Sequence, residues 1–141
     1  MSVIRLEIVS PDKVVYSEDI NMLIVRSTGG ELGILPHHAP LVTGLLPHAM
    51  RVKREDHEEL IAVAGGFMEV QPEKITVLAS AAEKPIDIDV NRAKEAYARA
   101  QQRIEAFHNG AAEGDDIDIT RANAALKRAQ ARLKASDTHI E

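Results

Sequence analysis

A β-sandwich followed by an antiparallel two-helix hairpin is the fold class that this 141-residue sequence predicts, from three observations. All six prolines precede residue 88 and lie among short runs rich in Val, Ile and Thr, as in strands and turns. After that residue there is no proline, alanine is frequent, and apolar residues recur at helical spacing. Segments 88–107 and 117–136 share 10 of 20 residues when aligned without a gap, so we expect two similar helices. The predicted division is a β-sandwich of about ten strands over residues 1–84 and a helical hairpin over 85–141.

The β part consists of short strand candidates that each end at a turn signal. Apolar side chains alternate with other residues at Ile4, Leu6 and Ile8, which would place one face of that strand on a core. Many short strands without intervening helices favour an antiparallel sandwich or barrel. The predicted strands cover residues 3–9, 13–17, 20–27, 33–35, 41–46, 49–54, 58–64, 66–71 and 74–78, and the charged segment 53–59 is expected at the exposed tip of a hairpin.

The helical part begins each helix with a capping residue. Asp89 and Asp118 stand where N-caps are expected, directly before alanine-rich runs, so we predict helices over about 90–108 and 119–135. Their apolar seams contain small alanines, which would let antiparallel helices approach closely. The seam residues are Val90, Ala93, Tyr97, Ala100, Ile104 and Phe107 in the first helix and Ile119, Ala122, Leu126, Ala129 and Leu133 in the second.

Composition and charge exclude several classes of function. The 17 basic and 22 acidic residues give a net charge of -5, which disfavours a general surface for nucleic acid or anionic lipid. The sequence has no Cys, so it contains no disulfide framework, thiolate metal site or cysteine nucleophile. It shows no signal-peptide pattern and no apolar run of about 18 residues, so we expect no direct membrane insertion.

Arginines are the strongest candidates for chemistry, because the internal repeat places them in matching stripes on both helices. Two arginines four residues apart, such as Arg99 and Arg103, destabilise a helix by about 0.2–0.5 kcal/mol, and such local costs often accompany function. Guanidinium groups bind phosphate oxygens in a bidentate manner and stack on bases, so the stripes suit a polyphosphate. The alternative is that they are solvated helix faces, offset by Glu95 and Glu105. The six residues are Arg92, Arg99 and Arg103 in the first helix and Arg121, Arg128 and Arg132 in the second.

Other residue types give weaker indications of a site. His37, His38 and His48 lack the spacing of a metal site, so we expect no bound metal. The chain has no glycine-rich nucleotide loop and no nucleophile motif, so we expect no catalytic residues and no enzyme activity of its own.

Two segments resemble the family of epsilon subunits of bacterial F-type ATP synthases. They are GGELGILPHHAPL at 29–41 and AGGFMEVQPEKITVLA at 64–79. The family patterns have the forms GELGI..GHAPL and GG..EV....VTVLA, and this chain differs mildly, with His37 where Gly is frequent and Ile75 in place of Val. The resemblance covers the whole length, because the family also consists of a β-sandwich followed by a helical hairpin.

The resemblance implies a non-catalytic subunit of the central stalk that rotates with gamma and the c-ring of a proton-translocating synthase. One end of the sandwich would rest on the c-ring through a loop that holds Glu31 and His38, and a side of the sandwich would pack on gamma. The hairpin would either fold on the sandwich or extend towards the alpha and beta subunits, where it obstructs rotation in the hydrolytic direction. Such a subunit lies peripherally at the cytoplasmic face of the bacterial cell membrane.

Some members of the family bind ATP through an [IL]DxxRA motif at the start of the first helix, with an upstream glutamate and arginines from both helices. All of these positions are filled in this chain. The resemblance therefore implies ATP as a regulatory ligand that favours the folded hairpin, and it leaves open whether Mg2+ accompanies the nucleotide. The residues implied are Glu83, Ile88, Asp89, Arg92, Ala93, Arg99, Arg128 and Arg132.

Two alternatives stay open on the sequence. In the first, the chain is a mechanical coupling and inhibitory subunit whose arginines contact acidic surfaces of the catalytic ring and hold no nucleotide. In the second, it is an unrelated sandwich module with a helical interaction tail, which the two family segments disfavour.

Overall fold

Ten strands precede two helices in the computed structural model, which describes residues 2–110 and 118–136. The predicted fold class is confirmed. The strands are β1 (Ile4–Val9), β2 (Val14–Ile20), β3 (Met22–Ser27), β4 (Gly30–Ile34), β5 (Leu41–Leu45), β6 (His48–Arg54), β7 (His57–Val63), β8 (Gly66–Val70), β9 (Lys74–Ala79) and β10 (Ala82–Glu83).

One continuous sheet curls to form the sandwich. Its strand order is β10-β7-β6-β3-β5-β8-β9-β1-β2, and β4 pairs with β3 beside this path. Among the described strands every pair is antiparallel except β1 with β9, where Leu6 stands opposite Ile75 in a parallel register. This parallel pair is a local exception to the predicted antiparallel sandwich, and it arises because β9 returns beside the first strand in the same direction.

The core lies inside the curled sheet and is filled by one face of each long strand. Ile4, Leu6 and Ile8 of β1 are buried, as their alternation in the sequence predicts. Burial of one such side chain contributes about 1.5–3 kcal/mol, so the shared core holds the sheet closed. The other strands contribute, among others, Leu23, Val25, Met50, Ile61, Met68, Ile75 and Val77.

Some details of the β part differ from the sequence prediction. β2 continues to Ile20 instead of ending at residue 17, because its ladder with β1 pairs Ile4 with Ile20. β4 starts at Gly30 instead of residue 33, since it forms a tight hairpin with β3. Most of the segment 53–59 is strand, and the turn is confined to the two residues that begin at Glu55.

The helices are α1 (Val90–His108) and α2 (Ile119–Ala135). Asp89 and Asp118 are their N-caps, as predicted: the side chain of each accepts a hydrogen bond of 3.1 Å from a backbone N–H three residues later. A short 3-10 turn at Pro85–Asp87, which the sequence did not predict, leads from the sandwich into α1. Segment 111–117, where the predicted connection between the helices falls, lies outside the described residues.

The hairpin is folded onto the sandwich, with α2 against β6 and β7 and with α1 packed on α2. A small apolar cluster joins the two parts and consists of Ala62 of β7, Ile88, and Ala131 and Ala135 of α2. Small side chains at these positions let the helix approach the strands closely. No helix in the described part of the chain has the length and apolar character needed to cross a membrane.

Candidate functional site

A cavity of about 390 Å³ lies where the two helices meet the sandwich. Its walls come from the middle of α1, the second half of α2, the end of β7, and the edge strand β10. This volume is within the usual range of about 300–1,000 Å³ for small-molecule sites. Because α1, α2 and the sandwich each supply a wall, the cavity exists only while the hairpin is docked on the sandwich.

The floor of the cavity is formed by alanines from both helices and from the sandwich. Ala100 and Ala129 are buried at the helix contact, as their place in the predicted seams indicates. Because an alanine side chain ends at Cβ, the space above it stays open for a ligand. The lining alanines are Ala62, Ala64, Ala81, Ala96, Ala100, Ala125 and Ala129.

Four arginines surround this floor: Arg99 and Arg103 of α1 and Arg128 and Arg132 of α2. Arg99, Arg103 and Arg128 have no ion-pair or hydrogen-bond partner within residues 2–110 and 118–136. All three side chains are exposed, so their guanidinium groups are accessible to a ligand, and guanidinium groups bind phosphate oxygens in a bidentate manner. The arrangement therefore suits phosphate groups.

The fourth arginine is paired with Glu83. Arg132 Nε lies 2.7 Å from Glu83 Oε1, and Arg132 Nη2 donates a hydrogen bond of 3.5 Å to Oε2. Nε is buried, and its N–H is not aligned on an acceptor in the described part of the chain, so the shorter contact is an ion pair. Glu83 lowers the positive charge of the cavity and ties β10 to α2.

The structure brings together only half of the predicted nucleotide residues. Glu83, Arg99, Arg128 and Arg132 line the cavity. The other four lie around the start of α1: Asp89 caps the helix, Arg92 is exposed, and Ile88 and Ala93 are buried. The four motif residues therefore lie at the N-terminus of α1, while the cavity itself is lined by residues farther along both helices and by the sandwich.

Arg103 lines the cavity; it is one of the six arginines that suit a polyphosphate by sequence, but the family resemblance does not imply it as an ATP-binding residue. The internal repeat contains the signal that identifies it, because Arg103 occupies the same repeat position as Arg132. The lining alanines Ala96 and Ala125 were also outside the prediction. They precede Arg99 and Arg128 by three residues, one helical turn back, which places them on the same helix face.

The two residues expected at the c-ring lie at different places along β4 and the loop after it. Glu31 is in strand β4 and not in a loop, because its backbone pairs with Arg26 of β3. Its carboxylate also forms an exposed ion pair of 3.8 Å with Arg26. His38 lies in the loop after β4, where its Nδ1 is 2.7 Å from the carbonyl oxygen of Ala39.

A second surface is an apolar patch on the outer face of the sandwich. Phe67 of β8 stands opposite Leu78 of β9 and Gly44 of β5, and Val42 is the next outward residue of β5. These three large side chains are 57% to 70% exposed. Contiguous exposed apolar side chains are typical of a protein-binding surface. Within residues 2–110 and 118–136, no group of three His, Asp or Glu side chains is arranged to hold a metal ion.

Family comparisons match both parts of the chain. Residues 3–85 match the family described as ATP synthase, Delta/Epsilon chain, beta-sandwich domain. Residues 87–137 match the family described as ATP synthase, Delta/Epsilon chain, long alpha-helix domain.

Bacterial relatives support the same assignment. The ATP synthase epsilon chain of Alkalihalophilus pseudofirmus is 49% identical over 113 residues, which are 80% of this chain and 85% of the relative. The ATP synthase epsilon chain of Brevibacillus brevis is 51% identical over 105 residues, or 74% of this chain and 80% of the relative.

Solved structures share the fold at low identity. A cryo-EM structure of the mitochondrial ATP synthase of Euglena gracilis contains a chain with a TM-score of 0.76 and 21% identity, covering 96% of this chain and 82% of that one. A central stalk and c-ring structure from Tetrahymena thermophila has a TM-score of 0.60 and 10% identity, with coverages of 94% and 96%. With both domain matches and the bacterial relatives, the chain belongs to the delta/epsilon family of ATP synthase subunits, as a non-catalytic epsilon-type member.

Proposed function

We propose that this chain is the epsilon subunit of the central stalk of a bacterial proton-translocating F-type ATP synthase, that its helices inhibit ATP hydrolysis, and that ATP favours the folded hairpin. The observation that carries the regulatory part is the arginine cavity between the helices and the sandwich. A ligand in this cavity contacts α1, α2 and the sandwich at the same time. It therefore binds the docked hairpin better than an extended one, which is the condition for shifting the equilibrium between them.

The triphosphate of ATP supplies negative charge that balances the arginines lining the cavity. Arg99 and Arg128 approach it from different helices, so phosphate oxygens bridge α1 and α2. Arg132 is held by Glu83 and is less available to the ligand than the unpaired arginines. A bidentate contact to phosphate also fixes the orientation of the guanidinium group that makes it. Such contacts are therefore more specific than attraction to a diffuse positive surface.

The mechanism is a shift in the populations of folded and extended hairpins. At high ATP concentration the bound nucleotide holds the hairpin on the sandwich and inhibition is relieved. At low ATP concentration the hairpin extends towards the alpha and beta subunits and blocks hydrolysis. A change from 1:99 to 99:1 requires about 5.5 kcal/mol of differential binding, which sets the affinity difference that the cavity must provide.

The sandwich supplies the fixed attachment to the stalk. The patch formed by Val42, Phe67 and Leu78 is the candidate surface for gamma, because it is exposed, contiguous and apolar. The loop with His38 and Glu31 of β4 are the candidate contacts for the c-ring. These contacts would place the subunit peripherally at the cytoplasmic face of the cell membrane.

Titration calorimetry of the full chain with ATP tests the nucleotide site, with ADP and GTP as ligand controls and with or without Mg2+. Arg128→Gln should abolish saturable ATP binding, because Arg128 is an unpaired lining residue. The matched control is Arg121→Gln, which removes an exposed arginine of the same helix outside the cavity. Equal binding by both variants would overturn the assignment of ATP to this cavity.

A mechanical subunit without a nucleotide is the second candidate function. The observation that favours it is the position of Asp89 and Arg92, which belong to the nucleotide motif but do not line the cavity. In that case the arginines contact acidic surfaces of the catalytic ring when the hairpin extends. Hydrolysis by the assembled enzyme would then be inhibited equally at low and high ATP after correction for substrate saturation.

A further inference from the structure

A second cavity, of about 340 Å³, lies on the other side of α2, between this helix and strands β3 and β6. None of its lining residues belongs to the arginine cavity, so the two sites are separate. His48, the first residue of β6, faces this second cavity and is only partly exposed. Docking of α2 therefore sets the environment of one titratable imidazole.

Both ring nitrogens of His48 contact the backbone of the sandwich. Nε2 lies 3.0 Å from the backbone nitrogen of Arg26, which donates a hydrogen bond to it. Nδ1 lies 2.6 Å from the carbonyl oxygen of Leu46, which can only accept. Nδ1 therefore carries the proton and Nε2 carries none, so the geometry specifies the neutral imidazole. A second proton on Nε2 would break the bond to Arg26.

The charged groups around this cavity are mainly basic. Two of its basic residues have carboxylate partners, Glu31 for Arg26 and Glu58 for Arg51. The two lysines of α2 have no ion-pair partner within the part of the chain that the structure describes. A protonated imidazole would add a further positive charge. The groups that face it are Arg26 of β3, Glu31 of β4, Arg51 of β6, Glu58 of β7 through its pair with Arg51, and Lys127 and Lys134 of α2.

The pKa of His48 lies below its ordinary value for reasons that include the docked helix. Burial is the largest cause, and the positive charges of Arg26 and Lys134 lower the pKa further. The hydrogen bond to the Leu46 carbonyl acts in the opposite direction. Lys134 belongs to α2 and leaves with it, whereas the contacts to Leu46 and Arg26 remain within the sandwich.

We propose that His48 is a proton-sensing latch: the neutral imidazole lets α2 dock on the sandwich, and protonation of the imidazole releases the hairpin. Release removes the burial that α2 provides and the charges of Lys127 and Lys134. The hydrogen bond from the backbone N–H of Arg26 to Nε2 lies within the sandwich. Protonation of Nε2 therefore breaks this bond in both the docked and the released state.

The direction of the pH effect follows from linkage. The pKa of His48 is lower in the docked state, so the released state binds the proton more readily. Docking is therefore strongest well above the ordinary histidine value of about 6.5 and weakens as the pH falls below it. Between about pH 7.5 and pH 5.5 the ratio of docked to released hairpins falls by at most about tenfold. Under the proposed function, on which this consequence rests, acidification would favour the inhibitory state.

An NMR titration of the His48 imidazole in the full chain tests the latch directly. The His48 signal is identified by its absence in His48→Gln. Ala135→Trp should separate α2 from the sandwich without adding charge, because Ala135 is buried in the cluster with Ala62 and Ala131 and does not line the second cavity. We expect the pKa of His48 to rise towards the ordinary value in Ala135→Trp. An unchanged pKa in this folded variant would overturn the proposal.

Two further measurements do not depend on the bulky variant. Lys134→Met removes the charge of Lys134 and should raise the pKa of His48 by a smaller amount than release does. Amide hydrogen exchange across α2 should be faster in the parent than in His48→Gln by up to about tenfold at pH 5.5, and equal at pH 7.5. Equal exchange in both proteins at both pH values would refute the latch. None of these measurements uses ATP, so their outcome does not depend on whether the arginine cavity binds a nucleotide.

Discussion

Glu83 on β10 and Arg132 on α2 are 49 residues apart in the chain, yet Glu83 Oε1 lies 2.7 Å from Arg132 Nε. The two side chains are 32% and 24% exposed, so much of the pair is shielded from solvent. This contact links the edge of the sandwich to the helix that docks on it. It also neutralises one of the four guanidinium groups that surround the cavity.

Glu83→Gln should weaken docking of the hairpin by about 1 kcal/mol, because it removes a partly buried ion pair and leaves Arg132 among three other arginines. Amide hydrogen exchange of α2 at constant pH measures the change. Glu95→Gln is the matched control, since Glu95 is exposed on α1 and has no partner in the described part of the chain. Equal exchange in the two variants would show that the pair does not hold the hairpin.

The fold class was predictable because local patterns determine it. The alternation at Ile4, Leu6 and Ile8 reports a buried strand face, and the capping aspartates mark the first turn of each helix. The parallel pairing of β1 with β9 was not predictable, because strand direction in a closed sheet depends on residues about 70 positions apart. β10 was missed since a two-residue strand carries no periodicity of its own.

The sequence predicted the residue type of the candidate site, arginine, better than it predicted which arginines line the cavity. The repeat identified the arginines, but only folding shows which of them face one cavity: Arg99 and Arg103 do, while Arg92 does not. His48 gave no signal in the sequence beyond being one of several histidines. Its role depends on Arg26, 22 residues away, and on α2, which the sequence could not place beside it.

Gly66→Ala should destabilise the sandwich by about 3 kcal/mol or more. Gly66 has a φ of 148°, and a Cβ there would lie 2.2 Å from the backbone oxygen of Leu78 and 2.9 Å from Cα of Ala79. The backbone of the paired strand cannot move aside without breaking the ladder. Urea unfolding measures the decrease in the free energy of unfolding. Gly29→Ala is the control, since its nearest neighbour would be the Ser27 hydroxyl at 3.8 Å, and a similar loss there would refute this explanation.

Phe67→Arg should prevent binding of purified gamma while leaving the chain folded. Phe67 is 64% exposed and lies in the centre of the apolar patch with Leu78, so the substitution places a charge in a surface that partner binding would bury. Co-purification measures binding, and urea unfolding checks the fold. Val14→Arg changes another apolar residue, 60% exposed, on β2, which is three strands from β8 in the sheet, and should bind as the parent does. Retained binding by Phe67→Arg would assign gamma to a different face.

Asp89 provides the sharpest test of how the nucleotide motif acts. Its carboxylate accepts a hydrogen bond from the backbone N–H of Arg92 and does not line the cavity, so we expect it to act through the N-terminus of α1. Asp89→Ala should destabilise that helix by about 1 kcal/mol and weaken ATP binding, whereas Asp89→Asn should preserve both, because asparagine is an equally good N-cap.

Circular dichroism during thermal unfolding and calorimetry with ATP follow the two effects of this change. Asp118→Ala and Asp118→Asn repeat the comparison at the equivalent cap of α2, where the same backbone contact is made to Arg121. If Asp89→Asn keeps the helix but binds ATP as poorly as Asp89→Ala, the charge of the carboxylate contacts the ligand and capping is not its role. If both asparagine variants bind normally, the motif residue acts by positioning α1, and the arginines of the cavity make the contacts to the phosphates.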